Sequence, residues 1–121
     1  MSIRGASAIV GIGEIPTKRV MPRRTDIGLL GEVTKMALDD AHFQKSDING
    51  LITSEGSRNG LVKYIGINPP FAMGVALAAA SGAATIQLAA AAITTGYCDT
   101  LPCAISGTAR WRWSSWAEYG Q

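Results

Sequence analysis

Few of the 121 residues in this chain carry side chains suited to catalysis. Cys98 and Cys103 offer thiols, His42 an imidazole and Ser81 a hydroxyl. A thiol becomes a useful nucleophile when a helix N-terminus, a cation or a base favours its thiolate. The two cysteines lie five residues apart, around what reads as the start of a strand. That spacing is neither a zinc pattern nor a disulfide framework, and it points to buried free thiols in a reducing compartment. Ser81 has neither a Gly-x-Ser-x-Gly setting nor an evident base, so it reads as a helix cap. His42 closes an amphipathic stretch, where a surface or capping role fits better than catalysis. No residues show metal-ligand spacing, and the metal expectation is none.

Composition narrows the class. Apolar residues make up 47% and charged residues 17%, a globular balance that argues against disorder. A net charge of +2 is too small to make nucleic acid the main partner. The opening "MSIRGASAIVGIGEIP" breaks its apolar run with glycine and follows it with Glu14. It makes a poor signal peptide, so the chain reads as cytoplasmic.

The elements that must position these residues alternate. "SAIVGIG", Ser7 to Gly13, is a short β-branched run closed by glycines and reads as a buried strand. Pro16 and Pro22 make the next segment a loop. Thr25 caps a helix that starts at Asp26, with Ile27, Leu30, Val33, Ala37, Leu38 and Ala41 on one stripe. A short strand follows near Leu51 and Ile52. "SRNGLVKYIG" reads as a helix closed by Gly66, and "FAMGVAL" as another strand. A helix then runs from about Ser81 to Thr95 and is ended by Gly96, and "CDTLPCAIS" is a last strand. The order β-α-β-α-β-α-β implies an α/β layered fold with crossover helices.

The stretch from Val75 to Gly96 contains no charge in 22 residues. A membrane span would have the length, but alanine contributes little to insertion, and Ser81, Gln87, Thr94 and Thr95 interrupt it. A helix apolar all round belongs in an interior. The expectation is therefore a helix buried on all sides, with part of its cover supplied by missing chain or by a second copy.

"AIVGIGEIPT", "ALDDAHFQKSDINGLIT", "YIGINPP" and "ASGAATIQLAAAAITTGYCDTLPCAISGTAR", in this order, resemble the N-terminal part of the thiolase superfamily. The branch most similar is that of sterol-carrier-protein-type thiolases and acetyl-CoA acetyltransferase-like lipid-transfer proteins. The resemblance spans about Ile3 to Arg110, and its most specific block is "SGAATIQLAAAAITTGYCDT". It implies a five-layer αβαβα fold of two similar halves, dimeric, of which residues 1–121 form an incomplete N-terminal domain. It also implies acyl-CoA chemistry, with a coenzyme A thioester as substrate and no covalently bound cofactor.

Departures from the family decide what to expect. The family's nucleophilic cysteine lies two residues before the Ser-Gly pair, and here that position is Ala79. The family's histidine and second cysteine come from the second half. No catalytic residue is therefore assigned, and the cofactor-binding residues stay unknown. Pro102 removes a donor from a strand that should be central.

Other candidates are weak. "GIGEIP" lacks the third glycine of a dinucleotide fingerprint, so Gly11 and Gly13 read as a strand end. Lys18, Arg19, Arg23 and Arg24 form a basic loop, solvated or else facing a phosphate of coenzyme A. "RWRWSSW" near the end reads as a tail that packs on the missing half. The leading reading is the N-terminal portion of a thiolase-like acyltransferase, inactive alone. The alternative is a non-thiolytic relative, either a retro-aldolase subunit working with a partner protein or a binding and assembly module.

Overall fold

The computed structural model describes residues 2–18, 22–54 and 58–106. Helix α1 runs Asp26–Ala41, and its start is set by Thr25, whose Oγ1 accepts from the Gly28 N–H at 3.1 Å. Asp26 places a carboxylate in the first turn, where the helix dipole favours it. The helix ends at His42, in the left-handed region at φ 59°, with its N–H donating to Asp39 O. The exposed His42 thus shapes the exit of α1.

Strand β1 (Gly50–Ser54), helix α2 (Arg58–Ile65), strand β2 (Phe71–Val75), helix α3 (Ser81–Thr94) and strand β3 (Cys103–Ala104) follow. Gly66 and Gly96 end α2 and α3 with positive φ, the conformation that glycine adopts without penalty. The three strands are parallel in the order β2-β1-β3, with Gly50 opposite Phe71 and Ile52 opposite Cys103.

Alternation along β1 divides the core. Leu51 packs with Leu30 of α1, Leu61 of α2 and Ala104. Its neighbour Ile52 points the other way, to Val75 and to Ala89 of α3. The result is a small parallel sheet with α1 and α2 on one face and α3 on the other, the α/β class that the alternating elements imply.

Three expectations are corrected. The run Ser7 to Gly13 is extended but forms no strand, and Ile9 and Ile12 are 68% and 71% exposed. It crosses α1 instead of entering the sheet: the Ile12 N–H donates to Asp40 Oδ2 at 2.9 Å. Gly11 and Gly13 lie so close to the α1 backbone at Ala37 and Val33 that a Cβ would collide with it. β-Branched residues favour a strand only where a neighbour supplies hydrogen bonds, and the described sheet has none beside this run.

The last strand is reduced from the expected Cys98 to Ser106 to Cys103–Ala104, and it lies at an edge of the described sheet. Pro102 accounts for the shortening. Its carbonyl accepts from the Ile52 N–H at 3.1 Å, so it faces β1, and its nitrogen on the same side has no proton to give. The loop before it is fastened by Asn49. The Asn49 Oδ1 accepts from the N–H groups of Asp99 (2.9 Å) and Thr100 (3.0 Å), while its Nδ2 donates to Asp99 Oδ2.

The third correction concerns α3. Only Thr85, Ala89 and Ala92 are buried, and Ala89 packs against Ile52 and Val75 of the sheet. Ile86 and Leu88 are 46% and 36% exposed, and Leu77 and Tyr97 extend the apolar surface at either end. The threonines make no demand on a partner, because Thr85, Thr94 and Thr95 each donate to a carbonyl of α3 itself. A helix apolar all round is here covered on one side only. Among the described residues, no helix is long and apolar enough to cross a membrane.

Two outcomes are expected. An apolar surface of this kind drives association, so light scattering on the full chain should give a mass above that of a monomer, and Ile86→Lys should lower it. Asn49→Ala leaves two backbone donors without acceptors and should cost about 2 kcal/mol of stability in urea unfolding.

Candidate functional site

The connection from β2 into α3 is short and holds one of the three positive-φ residues other than glycine among the described residues. Strand β2 ends at Val75, and a single tight turn, Ala78–Ala80, leads directly into α3 at Ser81. Ala78 opens that turn at φ 49°, which is costly for a residue with a Cβ. Ala79 and Ala80 on the turn, and Gly82 and Ala83 in the first turn of the helix, are exposed.

Ser81 holds the turn shut. Its Oγ accepts from the Leu77 N–H at 2.9 Å and donates to the Ala78 carbonyl at 2.9 Å. The expected helix cap is therefore a clamp on the preceding turn; the residue flanking α3 is Ala80, which has no capping side chain. Ala79 sits in the middle of the turn and is exposed. Its methyl group has neither a lone pair nor a dissociable proton, so position 79 carries no nucleophile.

The other candidates lie elsewhere. Cys98 is buried beyond the far end of α3, and burial, then the Asp99 carboxylate, pushes its thiol up. Cys103 is on β3, yet it comes back beside the second turn of α3, with its Sγ 3.8 Å from Thr85 O. Burial foremost, and then Cys98, raises its pKa to about 11. At neutral pH it is a thiol, the reverse of what a nucleophile needs. His42 closes α1, on the opposite face of the sheet from α3. Among the described residues, no cluster of His, Cys, Asp or Glu has the makings of a metal site. Arg19 and the segment "RWRWSSW" lie outside the described residues.

Sequence reasoning reached position 79 only through the family resemblance, which implies a nucleophile two residues before Ser81-Gly82. It missed the strain at Ala78, because alanine gives no sign of a positive φ. It also missed Asn49, whose partners are some fifty residues away.

Solved structures share this fold, and two of them are similar over most of this chain. One is an Ltp2-ChsH2(DUF35) aldolase, with a TM-score of 0.69 and 26% identity over 90% of this chain and 32% of that one. The other is a monomeric SCP2-thiolase like protein type 1 from Mycobacterium smegmatis, with a TM-score of 0.65 and 20% identity over 84% of this chain and 23% of that one. This chain thus spans a third or less of the length of either. No protein-family model matches the sequence, and no curated protein does.

Two tests follow from the geometry. Ala78→Gly removes the steric penalty and should raise stability by up to about 1 kcal/mol, whereas Ala78→Val should lower it by more than about 1 kcal/mol. The raised pKa of Cys103 means that the unfolded chain gives up this proton at lower pH than the folded one. Stability from this group is complete below about pH 9 and falls as pH rises through about 11. A urea midpoint that drops over that window, with a smaller drop in Cys103→Ala, checks the sign.

Proposed function

We propose that this chain is the N-terminal portion of a thiolase-like protein, the first half of a five-layer αβαβα architecture, and that it serves carbon–carbon bond cleavage by a retro-aldol route in assembly with a partner protein. The observation that carries this reading is Ala79, presented on the turn between β2 and α3 where acyl transfer would need a thiolate.

The two chemistries make different demands. In thiolysis, sulfur attacks the 3-oxo carbon of a thioester. The bond between carbons 2 and 3 breaks, its electron pair goes to the departing enolate, and the acyl group stays on the protein. In retro-aldol cleavage, a base takes the proton of a 3-hydroxyl group. The same carbon–carbon bond breaks, its pair passes into the thioester enolate, which is protonated at carbon 2, and a carbonyl compound departs. No bond to the protein forms. Replacing a cysteine by Ala79 abolishes the first sequence and leaves the second open. The base is then supplied by the assembled protein.

The likeness to an aldolase named for two components, over 90% of this chain, supports both the reaction class and the partner. The exposed apolar side of α3 supports incompleteness, since the rest of a longer fold would cover it. A second reading keeps the acyltransferase ancestry: a homodimeric thiolase-like module that retains affinity for a coenzyme A thioester without turning it over. The general resemblance to thiolase-like structures supports it equally.

The test is thiolysis of acetoacetyl-CoA by the purified chain. No turnover is expected, and Ala79→Cys alone should not restore it, because no base faces the new thiol. Turnover by the unmodified chain well above a no-enzyme control overturns the proposal.

A further inference from the structure

Asn49 and Gly50 stand at the entrance to β1, and the fold has a use for both. The Asn49 backbone N–H donates to the Thr100 carbonyl at 3.1 Å. Its side chain adds three bonds to the loop before β3: Oδ1 accepts from the Asp99 and Thr100 N–H groups, and Nδ2 donates to Asp99 Oδ2 at 3.1 Å. Gly50 is buried, and a Cβ there would meet Cys98 Sγ at 2.9 Å and Leu101 Cβ at 3.1 Å. The asparagine that latches β1 to the β3 loop is thus followed by a residue that close packing keeps as glycine.

An asparagine followed by glycine is chemically labile, because no Cβ shields the glycine nitrogen from the side-chain amide. The Gly50 nitrogen attacks Cγ of Asn49. The Cγ–Nδ2 bond breaks, and ammonia leaves carrying the Gly50 proton. Water then opens the resulting cyclic imide at either carbonyl, leaving aspartate or isoaspartate at position 49. Attack requires Cγ to come within about 3.5 Å of the nitrogen, so the side chain must turn about its Cα–Cβ bond. In the closed latch, the bonds of Oδ1 and Nδ2 oppose that turn.

We propose that Asn49 is a site of spontaneous deamidation, guarded while β3 is docked and open to attack when it is not, and that the product closes the latch poorly. In aspartate, the oxygen that replaces Nδ2 faces Asp99 Oδ2, so like charges stand where a donor met an acceptor. Isoaspartate instead lengthens the main chain ahead of β1, out of step with the Asp99 and Thr100 donors. Each undocking of β3 thus risks a covalent change that hinders its return. The other Asn-Gly pair, Asn59-Gly60, lies in the first turn of α2 with its side chain bonded to the adjacent Arg58, and it fastens no second element. The proposal stands or falls independently of the reaction proposed above.

Peptide mapping by mass spectrometry tests this, on the full chain held in mildly alkaline buffer with and without unfolding urea. Loss of ammonia at Asn49 should be slower in the folded chain by about tenfold or more, since it waits on local opening. Asp99→Ala removes the acceptor of Nδ2, so it should speed the loss in the folded chain by about fivefold and leave the rate in urea unchanged. Asn49→Asp, the aspartate product, should lower the urea midpoint. Adding Asp99→Asn should recover most of that loss, because an amide then meets the new carboxylate. The rate comparison needs no variant, so it decides even where Asn49→Asp fails to fold. Equal rates with and without urea overturn the proposal. So does an unchanged folded-state rate in Asp99→Ala, or an Asn49→Asp chain as stable as the original.

Discussion

Everything described in this fold hangs on the central position of β1. Among the described residues it is the one strand paired on both sides, and Gly50, Leu51, Ile52 and Thr53 are all buried. Because successive side chains point to opposite faces, Leu51 gathers α1 and α2 while Ile52 gathers β2 and α3. Thr53 adds a directional bond, its Oγ1 donating to the Ala104 carbonyl at 2.7 Å. A buried hydroxyl without that acceptor would be costly, so the register of β3 is fixed by polar chemistry as well as by pairing.

The turn into α3 and the surface of α3 tell a consistent story. A residue with positive φ is retained at Ala78, and Ser81 braces it with two hydrogen bonds, although Ala79 offers nothing to react. The turn is thus braced although no reactive side chain stands on it. The outer side of α3 is likewise apolar while facing outward.

What the sequence disclosed follows the range of the interaction concerned. The bounds of α1, α2 and α3 were legible because Thr25, Gly66 and Gly96 act within a few residues of where they stand. Position 79 came only from the family resemblance, as the residue two before Ser81-Gly82. The stretch around Ile9 misled because a β-branched run states a preference and says nothing of whether a neighbouring strand exists to satisfy it. The shortened β3 was half legible: Pro102 announced a missing donor, but not that its carbonyl would face β1. The apolar pattern of α3 correctly marked a helix made for burial, yet periodicity cannot say how much covering material is present.

The bonds of Asn49 also bear on how the chain acquires its shape. They join residue 49 to residues 99 and 100, and β1 meets β3 at the same separation. Ordering so long an intervening segment costs chain entropy before any of these bonds is gained, and contacts remote in sequence slow folding. The unit β1-α2-β2 closes over a much shorter loop, from Gly50 opposite Phe71. Its pairing costs less chain entropy than that of β3 with its asparagine latch. Wherever β3 is undocked, one edge of β1 is open and the apolar side of α3 has no finished sheet beneath it, a state prone to wrong pairing between chains. The bonds of Asn49 thus guard an edge as well as adding stability.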